Sequence, residues 1–482
     1  MTTFLQELAR DTNLTTTENG AATYASSLSA SLDYFAAAGA MRDTPDKAAD
    51  LFEKAYREDP QTAVRIMFYL RDVRGGQGER AMFRACLKRL ADLGYSDMGK
   101  VLKHVPEYGR WDDVFYDGST VTGPMVQLVG EQLVADAKAC GVGQPVSLAA
   151  KWLPSEKSKS RKRLWLNLRM ALGLSERKYR KVLSRLRSHI GLLEHQMSDN
   201  RWEDIDYGKL PSRAHMTHVK AFKRHTPDKY QAYLDSVNRG EADMKASVLY
   251  PYELYDMAYG PNADAASAFW ENLPDYTRGN DGIVLADVSA SMTGRPMSVS
   301  VSLALYFAER NKGAYKGYFM TFTDKPQLVK VQGDTLADRL RNIERAEWAG
   351  STNLEAAFDA ILAAAQRSGA ADVPKTLYIV SDMEFNQATS AWHRSKYHPS
   401  ADDTMFETAK RKFADAGLVL PHVVFWNVNA RNSNYPATMF DGNVTLVSGL
   451  SPSVFGMAVE GKAPAELMSE VVNGPRYQPI VI

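Results

Sequence analysis

Apolar side chains in the first half of the chain recur every three or four residues, the spacing of one face of an α-helix. In the segment 46–58 the apolar positions are Ala48, Leu51, Phe52 and Ala55. Pro60 opens a second such segment, and a third occupies residues 79–90. Short polar turns separate these from further helical segments that continue to about Leu273. The pattern predicts a degenerate, HEAT-like array of helical repeats.

Continuous apolar runs replace the helical spacing near residue 280. Gly282–Ala286 and Thr376–Val380 are each typical of a strand buried on both faces. Further strands are predicted at 317–322, 327–331, 419–426 and 444–447. The predicted helices between and after the strands lie at 296–311, 335–347, 353–366, 403–416 and in a last stretch that ends near 472. Strands that alternate with helices predict right-handed crossovers and a mostly parallel sheet.

The two patterns together predict an α plus α/β protein. A chain of 482 residues is longer than one hydrophobic core usually organises. We place an α-helical repeat domain at 1–275 and a doubly wound α/β domain at 276–482. The boundary falls in the polar stretch 275–281.

The composition excludes several protein classes. With 45% hydrophobic and 24% charged residues, the chain is neither wholly disordered nor fibrous. Cys86 and Cys140 are the two cysteines, which excludes a disulfide scaffold and a cysteine-ligated zinc fold and fits a reducing compartment. Glu7 and Arg10 interrupt the start of the chain, and no stretch approaches 18 uncharged apolar residues. We therefore expect a cytoplasmic protein with no membrane partner.

The net charge of +1 conceals a strongly basic segment. Residues 151–190 hold 13 Lys or Arg and two Glu, whereas the remaining residues carry a net charge of −10. A second basic stretch follows Pro211. Concentrated positive charge favours a polyanion such as RNA, although a solvated helix face is the alternative. The candidate RNA-binding residues are Lys157, Lys159, Arg161, Lys162, Arg163, Lys178, Arg180, Lys181, Arg185, Lys220, Lys223 and Arg224.

Two tryptophans and a glycine-rich turn are further candidates for contact with nucleic acid or phosphate. Trp165 and Trp202 would stack on bases if exposed, but core packing is the preferred interpretation. Gly75–Gly78 would suit a phosphate at a helix start. Because the lysine and the preceding strand of a P-loop are missing, we predict a plain turn between helices.

Oxygen-bearing side chains follow the predicted strands of the second half. Asp287, Ser289 and Ser291 form a D-x-S-x-S motif directly after the strand 282–286. In doubly wound sheets, sites form at the carboxyl ends of strands. Carboxylate and hydroxyl oxygens suit Mg²⁺, Mn²⁺ or Ca²⁺ rather than zinc. Thr352 before a helix and Asp382 after the strand 376–380 fit the same site.

This three-part pattern resembles the metal-ion-dependent adhesion site of the von Willebrand factor A family, over roughly residues 280–482. The resemblance implies that Asp287, Ser289, Ser291, Thr352 and Asp382 hold one divalent metal. Met383 and Glu384 depart from the Asp-Gly pair that often follows the last strand of the motif. An empty or structural site and an aspartyl phosphatase remain as alternatives. Ser289 stands where the phosphatase mechanism wants a second aspartate.

A helical array followed by an A domain resembles the TROVE, or Ro ribonucleoprotein, architecture. Three segments also resemble the DUF2828 group, namely Arg71–Arg80, Tyr108–Asp113 and Trp202–Tyr207 leading to Pro211–Arg213. The Ro resemblance implies binding of structured or misfolded noncoding RNA. The DUF2828 resemblance implies no activity.

We therefore expect a monomeric, non-enzymatic RNA-binding protein of Ro type with Mg²⁺, or Mn²⁺ or Ca²⁺, in its A domain. The second hypothesis is a protein–protein adaptor whose metal captures a carboxylate of a partner. The third is a metal-dependent hydrolase.

Overall fold

A computed structural model describes Leu5, Leu8, Arg10 and residues 12–279, 281–321, 325–346, 353–369, 373–386, 403–458 and 461–482. Most of the first 275 residues form helices. Several helices begin at a proline, whose fixed φ and missing N–H suit the first helical position. The helices up to residue 275 are α1 Ala30–Ala38, α2 Pro45–Glu58, α3 Pro60–Arg71, α4 Ala81–Asp92, α5 Met98–Leu102, α6 Val105–Tyr108, α7 Gly123–Gly141, α8 Ala149–Trp152, α9 Lys162–Ala171, α10 Glu176–Ile190, α11 Leu193–Ser198, α12 Ser212–His225, α13 Pro227–Asn238, α14 Pro251–Ala258 and α15 Ala263–Glu271.

Short strands and longer helices alternate after residue 280. The strands of the chain are β1 Leu14–Thr16, β2 Ala22–Tyr24, β3 Gly282–Ala286, β4 Tyr318–Thr321, β5 Leu328–Lys330, β6 Thr376–Ser381, β7 His422–Asn427 and β8 Val444–Ser448. The helices of this half are α16 Arg295–Arg310, α17 Leu336–Glu344, α18 Leu354–Ser368, α19 Met405–Asp415, α20 Ser453–Ala458 and α21 Pro464–Asn473.

Six strands form one sheet in the order β5-β4-β3-β6-β7-β8. Neighbouring strands run parallel except β5, which pairs antiparallel with β4. The prediction of an α plus α/β protein with a mostly parallel sheet is confirmed. The sequence missed the hairpin of β1 and β2, because three-residue strands leave too short a pattern to recognise. None of the described helices is long and apolar enough to cross a bilayer.

The chain packs into two compact units, each built from two separate stretches. The sheet unit comprises Met1–Ala63 and Ala246–Gly474, and the helical unit comprises Val64–Lys245 and Pro475–Ile482. Residues 246–275, which the sequence assigned to the helical domain, pack with the sheet unit, since α14 and α15 contact α16 and α17. A change of hydrophobic pattern marks where strands begin, whereas packing decides which helices cover them.

The core of the sheet unit is apolar and aromatic. Every residue of β3, β6, β7 and β8 is buried. The ring of Phe455 lies 4.9 Å from Phe307, 5.1 Å from Tyr378 and 4.8 Å from Trp426, measured between centroids. Such edge and tilted aromatic packing adds to the free energy of burial and fixes α16 and α20 on the sheet.

The helix α1 contacts the sheet at the end of β8, which explains why the start of the chain belongs to this unit. Gly39 donates its backbone N–H to Ser448 Oγ over 3.0 Å, and that hydroxyl donates to the carbonyl of Phe35 over 3.1 Å. A Cβ at Gly39 would lie 2.8 Å from the Ser448 backbone. The close approach therefore requires glycine.

In the helical unit, the charged residues of the Arg71–Arg80 segment pair across long stretches of sequence. Asp72 is fully buried and accepts hydrogen bonds from Arg476 through Nε at 2.8 Å and Nη2 at 3.0 Å. The Tyr477 hydroxyl donates to the same carboxylate over 3.1 Å. Residues 475–482 are thus held against α3, where the Arg65 guanidinium also donates to the carbonyls of Gln478 and Ile480.

The glycine-rich turn between α3 and α4 uses its backbone N–H groups internally. Those of Gln77, Gly78 and Glu79 donate to carbonyls of residues 69, 72 and 70. A Cβ at Gly76 would lie 1.9 Å from the Tyr69 carbonyl oxygen, so the tight turn requires glycine. The prediction of a plain turn between helices is confirmed.

We predict that Asp72→Asn destabilises the helical unit by about 2–4 kcal/mol, because Arg476 and Tyr477 lose a buried acceptor. Urea unfolding measures the loss, and hydrogen exchange read by mass spectrometry locates it. A double-mutant cycle with Arg476→Met should give a coupling free energy above 1 kcal/mol, as expected for directly bonded partners. Strict additivity of the two variants would contradict the pairing.

A buried histidine makes the stability of the helical unit sensitive to pH. His215 has no exposed surface, and its Nε2 lies 3.0 Å from the Tyr230 hydroxyl. Burial disfavours the cation and lowers the pKa of His215 to about 4. The unfolded chain therefore binds a proton near pH 6.5, whereas the folded chain binds it only near pH 4.

We predict that His215 removes about 2.5 kcal/mol of unfolding free energy between pH 7.5 and pH 4.5. The sign follows because the unfolded state takes up more protons over that range. His215→Gln lacks this term, so its stability relative to the parent should rise as the pH falls. Denaturant unfolding of both proteins across the range measures the difference. A difference independent of pH would disprove the assignment.

Candidate metal centre and nucleic-acid interface

The D-x-S-x-S loop lies at the carboxyl end of β3, as predicted. Asp287 is buried, and its backbone N–H extends the pairing of β3 with β6 by donating to the Val380 carbonyl over 3.0 Å. Its Oδ1 accepts the backbone N–H of Ser289 over 2.9 Å, which curls the loop. The hydroxyl oxygens of Ser289 and Ser291 then lie 2.9 Å apart.

The second carboxylate enters from β6, the neighbouring parallel strand. Asp382 directly follows β6 and is buried. The Ser381 hydroxyl, one residue earlier, donates to Asp287 Oδ2 over 2.6 Å. Burial, together with the charge of Asp382, raises the pKa of Asp287 to about 6 despite the hydrogen bonds from Ser381 and Ser289, which lower it. Two carboxylates held together in a buried place favour a nearby cation.

An arginine that the sequence analysis missed provides positive charge at this place. The Nη2 of Arg431 lies 2.9 Å from Asp382 Oδ2, and its Nη1 lies 3.0 Å from Glu18 Oε2. No local signal marks it, because 49 residues separate Arg431 from Asp382. A metal that bound both carboxylates would compete with this guanidinium.

Glu384 explains the departure from the expected Asp-Gly pair. Its buried carboxylate accepts the backbone N–H of Glu18 over 2.7 Å and the side-chain amides of Asn432 and Asn434 over 3.0 and 2.9 Å. Met383 adopts a left-handed conformation, with φ of 66°, in which the chain can turn toward these donors. The loop after β6 is therefore shaped to hold the β1–β2 hairpin.

The donors brought together fit a hard divalent cation in kind. Asp287, Ser289, Ser291 and Asp382 offer carboxylate and hydroxyl oxygens, whereas a sulfur- or imidazole-based site is missing from the described residues. Thr352, the fifth predicted ligand, lies outside the described residues. The serines are partly exposed, so a cation there could also take ligands from solvent.

The basic segment of the helical unit is built on α10. This helix begins after Ser175, whose hydroxyl accepts the Lys178 N–H over 3.3 Å, and ends at Gly191 with φ of 66°. Its buried face consists of Tyr179, Leu183 and Leu186. The charged residues of α10 therefore lie on its solvent face, except Arg187, which is half-buried.

Three contacts fasten the preceding loop to α10. The Tyr179 hydroxyl donates to the Pro154 carbonyl over 3.0 Å. The Arg187 guanidinium donates to the carbonyls of Ala150 and Leu153 over 2.8 and 2.9 Å. An ion pair of 3.7 Å joins Arg180 to Glu156. The segment directly before the basic run 157–163 is thus held against α10, and we call the run and the exposed basic residues of α10 together the basic surface.

The predicted RNA-binding residues of this surface differ in their exposure and in their contacts with other protein groups. Arg161 is half-buried and donates to the Trp152 carbonyl over 3.1 Å, and Arg180 is paired with Glu156. The others are exposed and make no ion pair within the described part of the chain: Lys157, Lys159, Lys162, Arg163, Lys178, Lys181 and Arg185.

The second predicted patch lies on α12. Lys220 and Arg224 are exposed, and Lys223 is half-buried. Trp202 stacks on His225 with centroids 3.9 Å apart, and its Nε1 donates to Asn200 Oδ1 over 2.9 Å. Trp165 is buried in the core, as preferred from the sequence.

Two family models match separate parts of the chain. The domain of unknown function DUF2828 matches residues 17–93 and 169–278, which contain two of the three segments that carried the resemblance, Arg71–Arg80 and Trp202–Arg213. The third segment, Tyr108–Asp113, lies between the matched ranges. A second domain of unknown function, DUF7788, matches residues 281–474.

One solved structure and one curated protein extend over most of the chain. The crystal structure of the Deinococcus radiodurans RO (RSR) protein matches 90% of this chain and 92% of its own, with 15% identity and a TM-score of 0.36, which is too low to establish a common fold. The uncharacterized protein L728 of Acanthamoeba polyphaga mimivirus is 30% identical, and the match covers 97% of this chain and 86% of the relative. The chain therefore belongs to the family of this mimivirus protein.

Proposed function

We propose that the protein binds RNA through the basic surface of residues 157–187. The observation that carries the proposal is the group of seven exposed cations of the basic surface, which have no ion pair among the described residues. An ordinary protein surface intersperses charges of both signs, and here 13 basic residues face two acidic ones between 151 and 190. A polyanion supplies the missing negative charge.

The chemistry of the surface favours the phosphate backbone over the bases. Lysine and arginine contact phosphates without reading sequence, and they release counterions when they do. Trp165 is buried, whereas Trp202 is only half-buried, in contrast to the preferred core packing, and stacks on His225. We therefore propose weakly sequence-specific binding of folded or misfolded noncoding RNA, in line with the resemblance to Ro proteins.

We further propose that Asp287, Ser289, Ser291 and Asp382 hold Mg²⁺ or Mn²⁺ in a domain of von Willebrand A type, with Thr352 as a further candidate. The cation would supply positive charge to a pair of buried carboxylates and fix the loops after β3 and β6. Ser381, which donates to Asp287, would keep that carboxylate oriented. This role needs no catalytic step.

A protein–protein adaptor is the second candidate, and the partial exposure of Ser289 and Ser291 favours it. A cation held there has a side open to solvent, where a carboxylate of a partner can bind. A partner that is lost on chelation and a chain that binds no RNA would together favour the adaptor.

We predict that the triple variant Lys159→Ala, Lys162→Ala and Arg163→Ala weakens RNA binding regardless of sequence. These three side chains are exposed and unpaired, so their removal should leave the fold intact. Each phosphate contact contributes about 0.7 to 0.9 to the slope of log affinity against log salt. If all three contact phosphate, the slope should become shallower by about 2 units, measured by fluorescence anisotropy between about 50 and 200 mM salt.

The matched control removes three exposed positive charges from the sheet unit, at Lys54, Arg367 and Lys410. It should retain most of the affinity and the full salt dependence. Equal losses in the two triple variants would indicate diffuse electrostatics and contradict a defined surface. A parent protein that binds no RNA would remove the proposal.

For the metal, we predict saturable binding of Mn²⁺ or Mg²⁺ that Asp287→Ala abolishes. The control Asp415→Ala removes an exposed carboxylate of the same unit and should bind normally. At 100 times its dissociation constant, the ion should stabilise the parent by about 2.7 kcal/mol. Calorimetry measures binding, and thermal unfolding with and without chelator measures the stabilisation. Equal binding by the parent and Asp287→Ala would disprove the ligand set.

A further inference from the structure

An arginine-rich cluster lies inside the helical unit, apart from the exposed cations. Asp113 has no exposed surface, and Asp112 is 5% exposed. Five arginines come within 4 Å of these two carboxylates, so the seven side chains carry a formal charge of +3. We call them the arginine cluster: Arg71, Arg80, Arg84, Arg110, Arg161, Asp112 and Asp113.

The Asp113 carboxylate of the cluster is already saturated by arginine donors, whereas Asp112 Oδ1 is buried and accepts no hydrogen bond from the described residues. Asp113 accepts from Arg71 Nε and Nη2 at 2.9 and 2.7 Å, and from the Nε atoms of Arg80 and Arg84 at 2.8 and 2.9 Å. Burial alone would raise the pKa of Asp113, but the charges and hydrogen bonds of these arginines lower it to about 2. Asp113 therefore stays ionised, and its negative charge neutralises one arginine charge.

Part of the arginine charge has no hydrogen-bond acceptor among the described residues. Arg80 and Arg84 donate through Nε and Nη2, whereas their Nη1 atoms have no hydrogen bond in the described part of the chain. The Arg110 guanidinium lies over the Trp152 ring at 4.2 Å, and its Nε is buried with no hydrogen-bond acceptor among the described residues. The side chains of Arg80, Arg84 and Arg110 are 37%, 24% and 30% exposed.

These three guanidinium groups are half-desolvated. Burial lowers the pKa of Arg84 and of Arg110, against the opposing effect of the Asp112 and Asp113 charges. A charge-assisted hydrogen bond at such a place is stronger than one in bulk water. An anion with several oxygens can satisfy planar donors that approach from different directions.

We propose that the guanidinium groups of Arg80, Arg84 and Arg110 bind a phosphate group through the N–H groups that donate to no acceptor among the described residues. A phosphate dianion offsets most of the +3 charge of the arginine cluster and offers acceptor oxygens to all three guanidinium groups. Arg161 lies 3.7 Å from Asp112 and belongs to the basic run 157–163, so the cluster adjoins the basic surface. The phosphate could come from a free phosphate compound or from a nucleic acid. The site does not depend on the proposed RNA binding.

The glycine of the Tyr108–Asp113 segment supports a built site. A Cβ at Gly109 would lie 2.8 Å from Arg71 Nε and 2.9 Å from Asp113 Oδ2. Any other residue would push this pair apart, so the turn is shaped around the charges. The Arg110 backbone N–H also donates to Asp113 Oδ2 over 3.0 Å.

Calorimetric titration with inorganic phosphate and with pyrophosphate, at constant ionic strength, tests the site without RNA. The parent should bind at one saturable site. Arg110→Gln removes one of the three guanidinium groups and leaves all side-chain hydrogen bonds of Asp113 in place. It should weaken phosphate binding about tenfold. Arg239→Gln removes an exposed, paired arginine of the same unit and should change nothing.

Two results would overturn the proposal. One is a parent that binds neither anion, and the other is an equal loss in Arg110→Gln and Arg239→Gln. Should Arg110→Gln fail to fold, phenylglyoxal modification of the parent decides the matter. Pyrophosphate should protect Arg84 and Arg110 from modification, as read by mass spectrometry, and unchanged labelling of both would refute the site.

Competition with RNA separates the two sources of phosphate. An RNA oligonucleotide that displaces pyrophosphate from the parent identifies the ligand as a phosphate of nucleic acid. Simultaneous binding of both identifies a free phosphate compound. Both results require that the parent binds pyrophosphate at the arginine cluster. A parent that binds RNA but not phosphate would refute the phosphate site and leave the proposal of RNA binding intact.

Discussion

Buried carboxylates set the arrangement of the helical unit. Asp72 and Asp113 are both withdrawn from solvent, and an ionised carboxylate is tolerated there only with several donors around it. Asp113 orders Arg71, Arg80 and Arg84 and thereby joins α3, α4 and the turn at 109–113. Asp72 orders Arg476 and Tyr477. The positions of these helices follow from where the two negative charges can be satisfied.

The same residue type serves opposite purposes within this unit. Arg71 and Arg187 are spent on protein acceptors and lend little charge to the outside. Lys162 and Arg163, by contrast, reach solvent and have no partner among the described residues. The net charge of a segment counts both the arginines bonded to protein acceptors and the basic residues that reach solvent. It therefore overstates the number of cations that a polyanion can contact. Contacts with phosphate depend on the second group alone.

The sequence predicted the parts of the fold that local patterns encode. Uninterrupted apolar runs marked β3 and β6 because strands covered on both faces carry no polar alternation. The D-x-S-x-S loop followed from its place after such a strand, whereas the position of Thr352 lies outside the described residues. Pairs that are far apart in the sequence could not be predicted. Arg431 pairs with Asp382 across 49 residues, and Arg476 pairs with Asp72 across 404 residues. The charged residues of the Arg71–Arg80 segment could not be assigned partners from one sequence.

The discontinuity of the helical unit has a consequence for synthesis on the ribosome. Arg476 and Tyr477 complete the packing of α3, yet 229 residues of the sheet unit separate them from Lys245. At about 5–20 residues per second, those residues take roughly 10–50 s to emerge. Throughout that interval Asp72 lacks its partner Arg476. The helical unit is therefore incomplete until residues 475–482 emerge, long after its helices have been made. Nascent chains of this family should therefore depend on chaperones that shield the half-built unit.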